Sequence, residues 1–202
     1  MFTAICPGCG MYKTEKTVRI TGNKGESTCA ECGHVHEFRA MPLYVVIGAS
    51  GTGKSTIALH MQQTQQEVLA LDGDLLWRSE FAGGELRAYF DMWMQMALNM
   101  TQCGKPVMLF MGGLKEDYLE SGYAKYFAAV NVLGLYAEED DLAERLRARP
   151  AWRGSAKEAF IENMKKYNAT LREYKTTLCT SGRSVAECAQ RLMEWSMTEK
   201  EK

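Results

Sequence analysis

The chain has 202 residues, 46% of them hydrophobic and 24% charged, with a formal net charge of −1. That gives room for one medium domain with a small appendage and enough apolar content for an ordinary core. Near-neutrality excludes a protein that coats nucleic acid by bulk electrostatics, though not a local basic patch. No apolar run reaches bilayer-spanning length, and the N-terminal MFTAICPGCG has no basic segment followed by an apolar stretch, so a soluble, cytoplasmic protein with no membrane partner is expected.

Seven cysteines would suit a disulfide scaffold, but four fall in two Cys-x-x-Cys pairs, Cys6-Pro7-Gly8-Cys9 and Cys29-Ala30-Glu31-Cys32. Nineteen residues separate the pairs, a spacing that points to a four-thiolate zinc site on Cys6, Cys9, Cys29 and Cys32 in a reducing compartment. The competitor, a redox-active pair, would sit in a βαβ pattern, which is absent here. Gly10 and Gly33 follow the pairs and suit the positive φ of such turns. Between the pairs, Lys16 to Thr21 alternates and Asn23-Lys24-Gly25 marks a turn, so residues 1–41 read as a zinc ribbon with a hairpin. About forty residues cannot bury a sufficient core, and metal would supply the stability.

His34 and His36 are not needed as ligands where four thiolates already close a tetrahedral site. Lys13, Lys16, Arg19 and Lys24 would suit nucleic acid, but Glu15, Glu26, Glu31 and Glu37 dilute them. A structural or partner-docking module is the favoured reading over nucleic-acid recognition.

Residues 42–202 form the second expected unit. The apolar run Leu43-Tyr44-Val45-Val46-Ile47 leads into GASGTGKST, Gly48 to Thr56, and then into the helix-like Ile57-Ala58-Leu59-His60-Met61. This is the phosphate-binding G-x-x-x-x-G-K-[ST] pattern in its strand-to-helix context. Backbone N–H groups across Gly48, Ser50, Gly51, Thr52 and Gly53, and on into Ser55 and Thr56 at the helix start, would curl around phosphate oxygens. Lys54 would neutralise β- and γ-phosphate charge and the Ser55 hydroxyl would reach Mg²⁺.

Further strands are expected over Val68 to Leu71, Pro106 to Met111, Val130 to Tyr136 and Thr176 to Thr180. They alternate with helices over Ser55 to Gln65, Glu85 to Gln102, Asp140 to Arg149, Ala156 to Tyr174 and Val185 to Met197. The alternation implies an α/β fold with a parallel sheet covered on both faces. Ser155 with Glu158 reads as a capping box for the fourth helix. Met92, Trp93, Met96, Ala97 and Met100 share helical spacing and read as core. Cys103, Cys179 and Cys188 lack metal spacing and read as small apolar side chains.

The second strand ends in Leu71-Asp72-Gly73-Asp74. Strand C-termini of a parallel sheet line the ligand crevice, so both carboxylates are expected to face the glycine loop. One would orient Mg²⁺ and its water while the other accepts a proton from, or holds, an acceptor hydroxyl; the residues leave open which does which. Arg78 would suit an anionic group on the acceptor. Met111-Gly112-Gly113 allows close backbone approach at the same sheet edge, and VMLFM ends without the carboxylate a motor-type ATPase places there. In Arg145-Leu146-Arg147-Ala148-Arg149-Pro150-Ala151-Trp152-Arg153, Pro150 should end the helix. Arg153 would then sit on a loop able to close over the transferring phosphoryl group. A charged helix face accounts for Arg145 and Arg147.

From Leu43 to Met197 the sequence resembles the small P-loop kinases, the group containing shikimate kinase, gluconate kinase, adenylyl-sulfate kinase and the nucleoside monophosphate kinases. The resemblance rests on GASGTGKST, Asp72-Gly73-Asp74, Gly112-Gly113, the Arg149-Pro150 lid start and the ending TTLCTSGRSVAECAQRL. It implies a P-loop NTPase three-layer sandwich with a five-stranded sheet in order 2-3-1-4-5. It also implies that Asp72 and Asp74 serve metal and acceptor, that Arg149 stacks near adenine, that Arg153 touches phosphate and that Ser181-Gly182-Arg183 borders the base. Arg172 looks like an acceptor-binding arginine. The lid is short and a zinc ribbon is not a usual part of these enzymes, so the acceptor cannot be copied from any one member.

Two functions follow. The first is an ATP- and Mg²⁺-dependent kinase with a structural Zn²⁺, moving the γ-phosphoryl group to a nucleoside, nucleotide or other hydroxylated metabolite. The alternative is a nucleotide-dependent ATPase module in which the ribbon grips nucleic acid or protein.

Overall fold

The computed structural model describes residues 4–12, 16–78, 81, 84 and 86–200. Lys13, Glu15 and the expected helix start at Glu85 lie outside them. A three-stranded antiparallel sheet comes first, with β1 (Thr17–Thr21), β2 (Lys24–Thr28) and β3 (Val35–Arg39) in that order. Thr21 pairs directly with Lys24, so the hairpin loop is Gly22-Asn23, with Gly22 at φ 59°, rather than the turn expected over residues 23–25. Gly25 belongs to the strand for a steric reason: a Cβ there would lie 2.2 Å from the Phe38 ring, which crosses it from the paired strand. The sequence reading did not anticipate β3.

The second sheet is five-stranded and parallel. It is built from β4 (Leu43–Gly48), β5 (Leu69–Asp72), β6 (Val107–Met111), β7 (Val130–Tyr136) and β8 (Thr177–Cys179), in the order β5-β6-β4-β7-β8. Counted from β4, that is the expected 2-3-1-4-5. Every residue of β4 and β6 is buried, as the continuous apolar runs of a sheet covered on both faces require.

The two-residue period of β4 divides the core. Leu43, Val45 and Ile47 join the cluster that holds Trp93, Met94 and Leu98 of α2 (Leu86–Met100) and Leu171 of α5 (Glu158–Arg172). Tyr44 and Val46 face the opposite way, onto Ile57 and Met61 of α1 (Lys54–Thr64) and Leu192 of α6 (Val185–Lys200). Two further helices, α3 (Lys115–Leu119) and α4 (Glu139–Arg147), complete the described elements, with 3₁₀ turns at Gly73–Leu76, Thr101–Cys103, Ala124–Tyr126 and Ala151–Arg153.

The expected Ser155–Glu158 capping box does not form. Helix α5 begins at Glu158, after Lys157. The Ser155 hydroxyl turns back to donate to the Leu146 carbonyl at 3.4 Å, and the Glu158 carboxylate accepts from Arg147 at 3.0 and 3.1 Å. Trp93 and Ala97 are buried as read, whereas Met96 faces outward at 37% exposure. Among the three cysteines read as small apolar side chains, Cys188 is buried but Cys103 is exposed and Cys179 half-buried.

The small sheet is anchored to the large one. Phe38 and Ala40 belong to the same buried cluster as Leu43 and Val45, and Phe38 meets Tyr126 with ring centroids 5.8 Å apart. Arg39 and Gln102 exchange bonds: Arg39 N–H donates to Gln102 Oε1 at 2.9 Å, and Gln102 Nε2 donates to the Arg39 carbonyl at 3.0 Å. Lys125 Nζ donates to the Lys16 carbonyl at 2.9 Å. No helix among the described residues is long and apolar enough to cross a membrane.

Candidate active site

Strand β4 delivers the chain into the glycine loop at the C-terminal edge of the parallel sheet, where α1 begins. Gly51 and Gly53 adopt φ 94° and 96°, a region costly for any residue with a Cβ. A Cβ on Gly48 would sit 2.5 Å from Thr52 Oγ1 and 3.2 Å from the Leu135 carbonyl oxygen. Thr52 is buried, its hydroxyl donating to the Ala49 carbonyl at 2.8 Å. Lys54 Nζ donates to the carbonyls of Gly48 at 2.7 Å and Ala49 at 3.1 Å. Burial pulls its pKa below the ordinary lysine value, the carboxylates of Asp74 and then Asp72 oppose that pull, and Arg149 adds to it.

Three spaces meet at this loop. A small cradle of about 60 Å³ is bounded by Ser50, Gly51, Gly53, Lys54, Ser55 and Thr56, with Asp74 and Arg149 closing it. On one side a cavity of about 310 Å³ is lined by Thr56, Ile57, Arg149, Thr180, Arg183 and Val185. On the other, a cavity of about 710 Å³ is lined by Ser50, Asp74, Gly112, Gly113 and Arg153 together with an aromatic group. Ser50 and Asp74 border both the cradle and the large cavity.

The two carboxylates are arranged differently. Asp72 starts the 3₁₀ turn and its Oδ1 accepts from the Asp74 N–H at 3.1 Å, while Asp74 itself lines the cradle. Asp72 ends β5 and Asp74 follows in the turn, so both stand at the C-terminal edge of the parallel sheet, where β4 passes into the glycine loop. Arg153 ends the turn after Pro150 with its guanidinium 5.5 Å from the centre of the Trp152 ring. Trp152 itself is 81% exposed.

Some residues singled out in the sequence stand elsewhere. Arg78 is exposed and outside the lining of these cavities. Arg172 pairs with Glu138 at 3.3 Å and lies over Tyr136 at 5.2 Å rather than in the large cavity. Arg145, read as one residue of a charged helix face, instead donates to Thr180 Oγ1 at 2.9 Å and to the Gly51 carbonyl at 3.3 Å, tying the glycine loop to the segment before α6.

Sequence reasoning missed the aromatic and tyrosine components. Trp77, Tyr89, Phe90 and Phe160 line the large cavity with Arg87 and Asp117. Tyr118 and Tyr167 donate to the carbonyls of Gly112 and Gly113, each at 2.5 Å. Helical spacing alone marks these tyrosines as core; only the folded chain brings their hydroxyls onto the loops.

In the N-terminal module, the Sγ atoms of Cys6, Cys9, Cys29 and Cys32 all lie within 4.8 Å of one another. Cys6 and Cys32 are separated by 3.7 Å and Cys9 and Cys29 by 4.0 Å, close to the roughly 3.8 Å between thiolates at about 2.3 Å from a tetrahedral zinc. Gly10 and Gly33 both take φ 71°, as the two turns require. The four cysteines fit a zinc ribbon.

No family model matches the sequence, and a search of curated proteins finds no match. Solved structures do match. A sugar kinase from Janibacter sp. HTCC2649 aligns over 77% of this chain and 94% of its own, at 17% identity and a TM-score of 0.57. A gluconokinase from Sinorhizobium meliloti 1021 aligns over 80% and 99%, at 19% identity and a TM-score of 0.53. The APS kinase of Mycobacterium tuberculosis, solved with AMPPNP and APS, aligns over 78% and 97%, at 18% identity and a TM-score of 0.53. The chain has the fold of the small P-loop kinases, with a four-cysteine module near its N-terminus.

Proposed function

We propose that the protein transfers the γ-phosphoryl group of ATP to a hydroxyl of a small acceptor, a nucleoside, a nucleotide or another hydroxylated metabolite. In this reading residues 42–202 carry out the transfer, and residues 1–41 are a zinc-stabilised module that props the sheet. The amides from Gly48 to Thr56 and the N-terminus of α1 bind the β- and γ-phosphates, and Lys54 turns from its loop carbonyls to their oxygens. The base lies toward Arg149 and Arg183. Ser55 and Asp72 would hold a magnesium ion, which would neutralise charge on the phosphates when bound.

Asp74 faces the acceptor. Its carboxylate orients the attacking hydroxyl and takes its proton as the new P–O bond forms and the bond to the β-phosphate oxygen breaks, releasing ADP. Arg153 closes over the transferring group, stabilises its spread negative charge and excludes water. The observation that carries the reading is that Asp74 borders both the phosphate cradle and the large cavity. Such a position is where a phosphoryl group passes between two ligands.

The test is a screen of candidate acceptors with γ-labelled ATP, run on the wild type and on Lys54→Ala. Label should appear on a small product only with the wild type, while both proteins keep the same zinc content. Equal turnover by Lys54→Ala would refute the assignment.

A further inference from the structure

We propose that the large cavity takes an acceptor built on a flat heterocycle, of the nucleoside class, and that Trp77 is the residue that selects it. The inference rests on the phosphotransfer reading, since it identifies this cavity as the acceptor side. Its own evidence is the lining. A volume of about 710 Å³ lies within the usual range for small-molecule sites and has room for a base with its sugar. Trp77 is 46% exposed yet fixed: its ring meets Tyr89 edge-on, with centroids 5.2 Å apart and planes at 87°, and Phe81 at 6.2 Å. An indole held by two rings and left half open at a cavity wall is a stacking platform.

The polar groups around the cavity argue against a polyol. The Tyr89 hydroxyl is committed to the Gly73 carbonyl. Asp117 Oδ2 accepts from the Leu114 N–H at 2.6 Å, and Arg87 donates through Nε to Asp91 and through Nη2 to the Glu120 carbonyl. Beyond Ser50, Asp74 and Arg153 the wall is largely aromatic, and a sugar acid or hexose, with a hydroxyl on nearly every carbon, would set several of them against ring faces, which is costly. A nucleoside presents two apolar faces and confines its donors and acceptors to one edge. The bonds named above use two of the five Arg87 donors and one of the two Asp117 oxygens, which leaves enough for a single base edge, a guanidinium donating to ring nitrogen or carbonyl and a carboxylate accepting from an exocyclic amine. Asp74 is left for the sugar hydroxyl.

The experiment is calorimetric titration of the full chain with the four common nucleosides, a hexose and a six-carbon sugar acid. Each is added with and without saturating AMPPNP and Mg²⁺, to the wild type and to Trp77→Ala. At least one nucleoside is expected to bind, with affinity falling about 5- to 100-fold in Trp77→Ala and AMPPNP affinity changing less than 2-fold. Binding of the hexose or sugar acid in preference, nucleoside binding indifferent to Trp77→Ala, or no nucleoside binding at all would overturn the inference. Failure of AMPPNP itself to bind would strike the phosphotransfer reading instead, and the titrations without it still decide the acceptor class.

Discussion

The phenol of Tyr89 donates a hydrogen bond to the carbonyl of Gly73, the residue that separates Asp72 from Asp74. The same glycine is pressed from below, where a Cβ would fall 1.8 Å from Met111 Sδ and 2.9 Å from the Phe110 carbonyl oxygen. The turn that aims Asp74 is thus clamped between β6 and α2. Tyr118 from α3 and Tyr167 from α5 do the same for Gly112 and Gly113 across the cavity. Helices that look like simple covering layers each send a hydroxyl to the loops at the sheet edge.

Replacing Tyr89 with Phe removes the donor and keeps the ring. The Gly73 carbonyl then loses this partner, at a cost of about 1–3 kcal/mol, which urea denaturation will read as a lower midpoint with an unchanged slope. If the phenol positions Asp74, kcat for transfer falls about 10-fold or more while the affinity for ATP stays the same. A variant that loses stability but keeps its kcat would make Tyr89 a packing residue only.

The two aspartates should separate by the same logic. Asp74→Asn leaves a side chain of equal size but removes the proposed base, so kcat should drop by about 10²-fold or more. Asn at position 72 still offers an oxygen to the Asp74 N–H, so the turn survives Asp72→Asn. The loss there should appear as a raised Mg²⁺ requirement. Steady-state rates across a magnesium titration distinguish the two, and identical profiles would remove the division of labour.

Much of this architecture was legible because it is local. The loop from Gly48 to Thr56 announces itself by its glycines between an apolar run and a helix, and the two Cys-x-x-Cys pairs by their spacing. The order 2-3-1-4-5 came with the resemblance, not from the apolar runs, which do not encode which strand lies beside which. What escaped was set at long range. Arg145 is an ordinary basic residue of a charged helix until the fold brings Thr180 to it. Val35 to Arg39 is too polar to read as a strand, and only the pairing with β2 makes it one. Arg172 matched a family position in sequence but found Glu138 nearer.

The buried phenols predict an alkaline weakness. Burial pushes Tyr89 and Tyr126 up to about 12, and Tyr118 and Tyr167 upward as well. Unfolded tyrosine titrates near 10, so above that pH the unfolded chain binds fewer protons than the folded one. The stability these groups contribute is complete below about pH 10 and is lost as pH rises through their folded values. Lys54 works in the opposite sense, since its folded pKa lies below the ordinary lysine value and the penalty on its charge eases as pH climbs. The phenols outnumber it. Urea midpoints should therefore hold level to about pH 9.5 and then decline, and the absorbance of phenolate should rise in step with unfolding. Full ionisation of all nine tyrosines near pH 10 with the fold intact would contradict this.

Metal removal tests whether the small sheet is an ornament or a prop. Strand β3 runs through Phe38, which lies in the main core beside Tyr126, and Ala40 is completely buried before β4 begins. If the four thiolates hold zinc, its removal frees the two cysteine turns, and three strands of five residues each have little core of their own to replace it. The loosening reaches Phe38 and the Arg39–Gln102 exchange, and through them the start of the central strand. The protein as purified should carry about one zinc per chain. Stripping it with a mercurial and a chelator should expose four thiols and lower Tm by about 10 °C, with zinc alone restoring it. Cys6→Ser and Cys29→Ser should reproduce the loss in the absence of chelator. An unchanged Tm after complete zinc removal would mean that the module is held by its contacts with the large sheet and not by its thiolates.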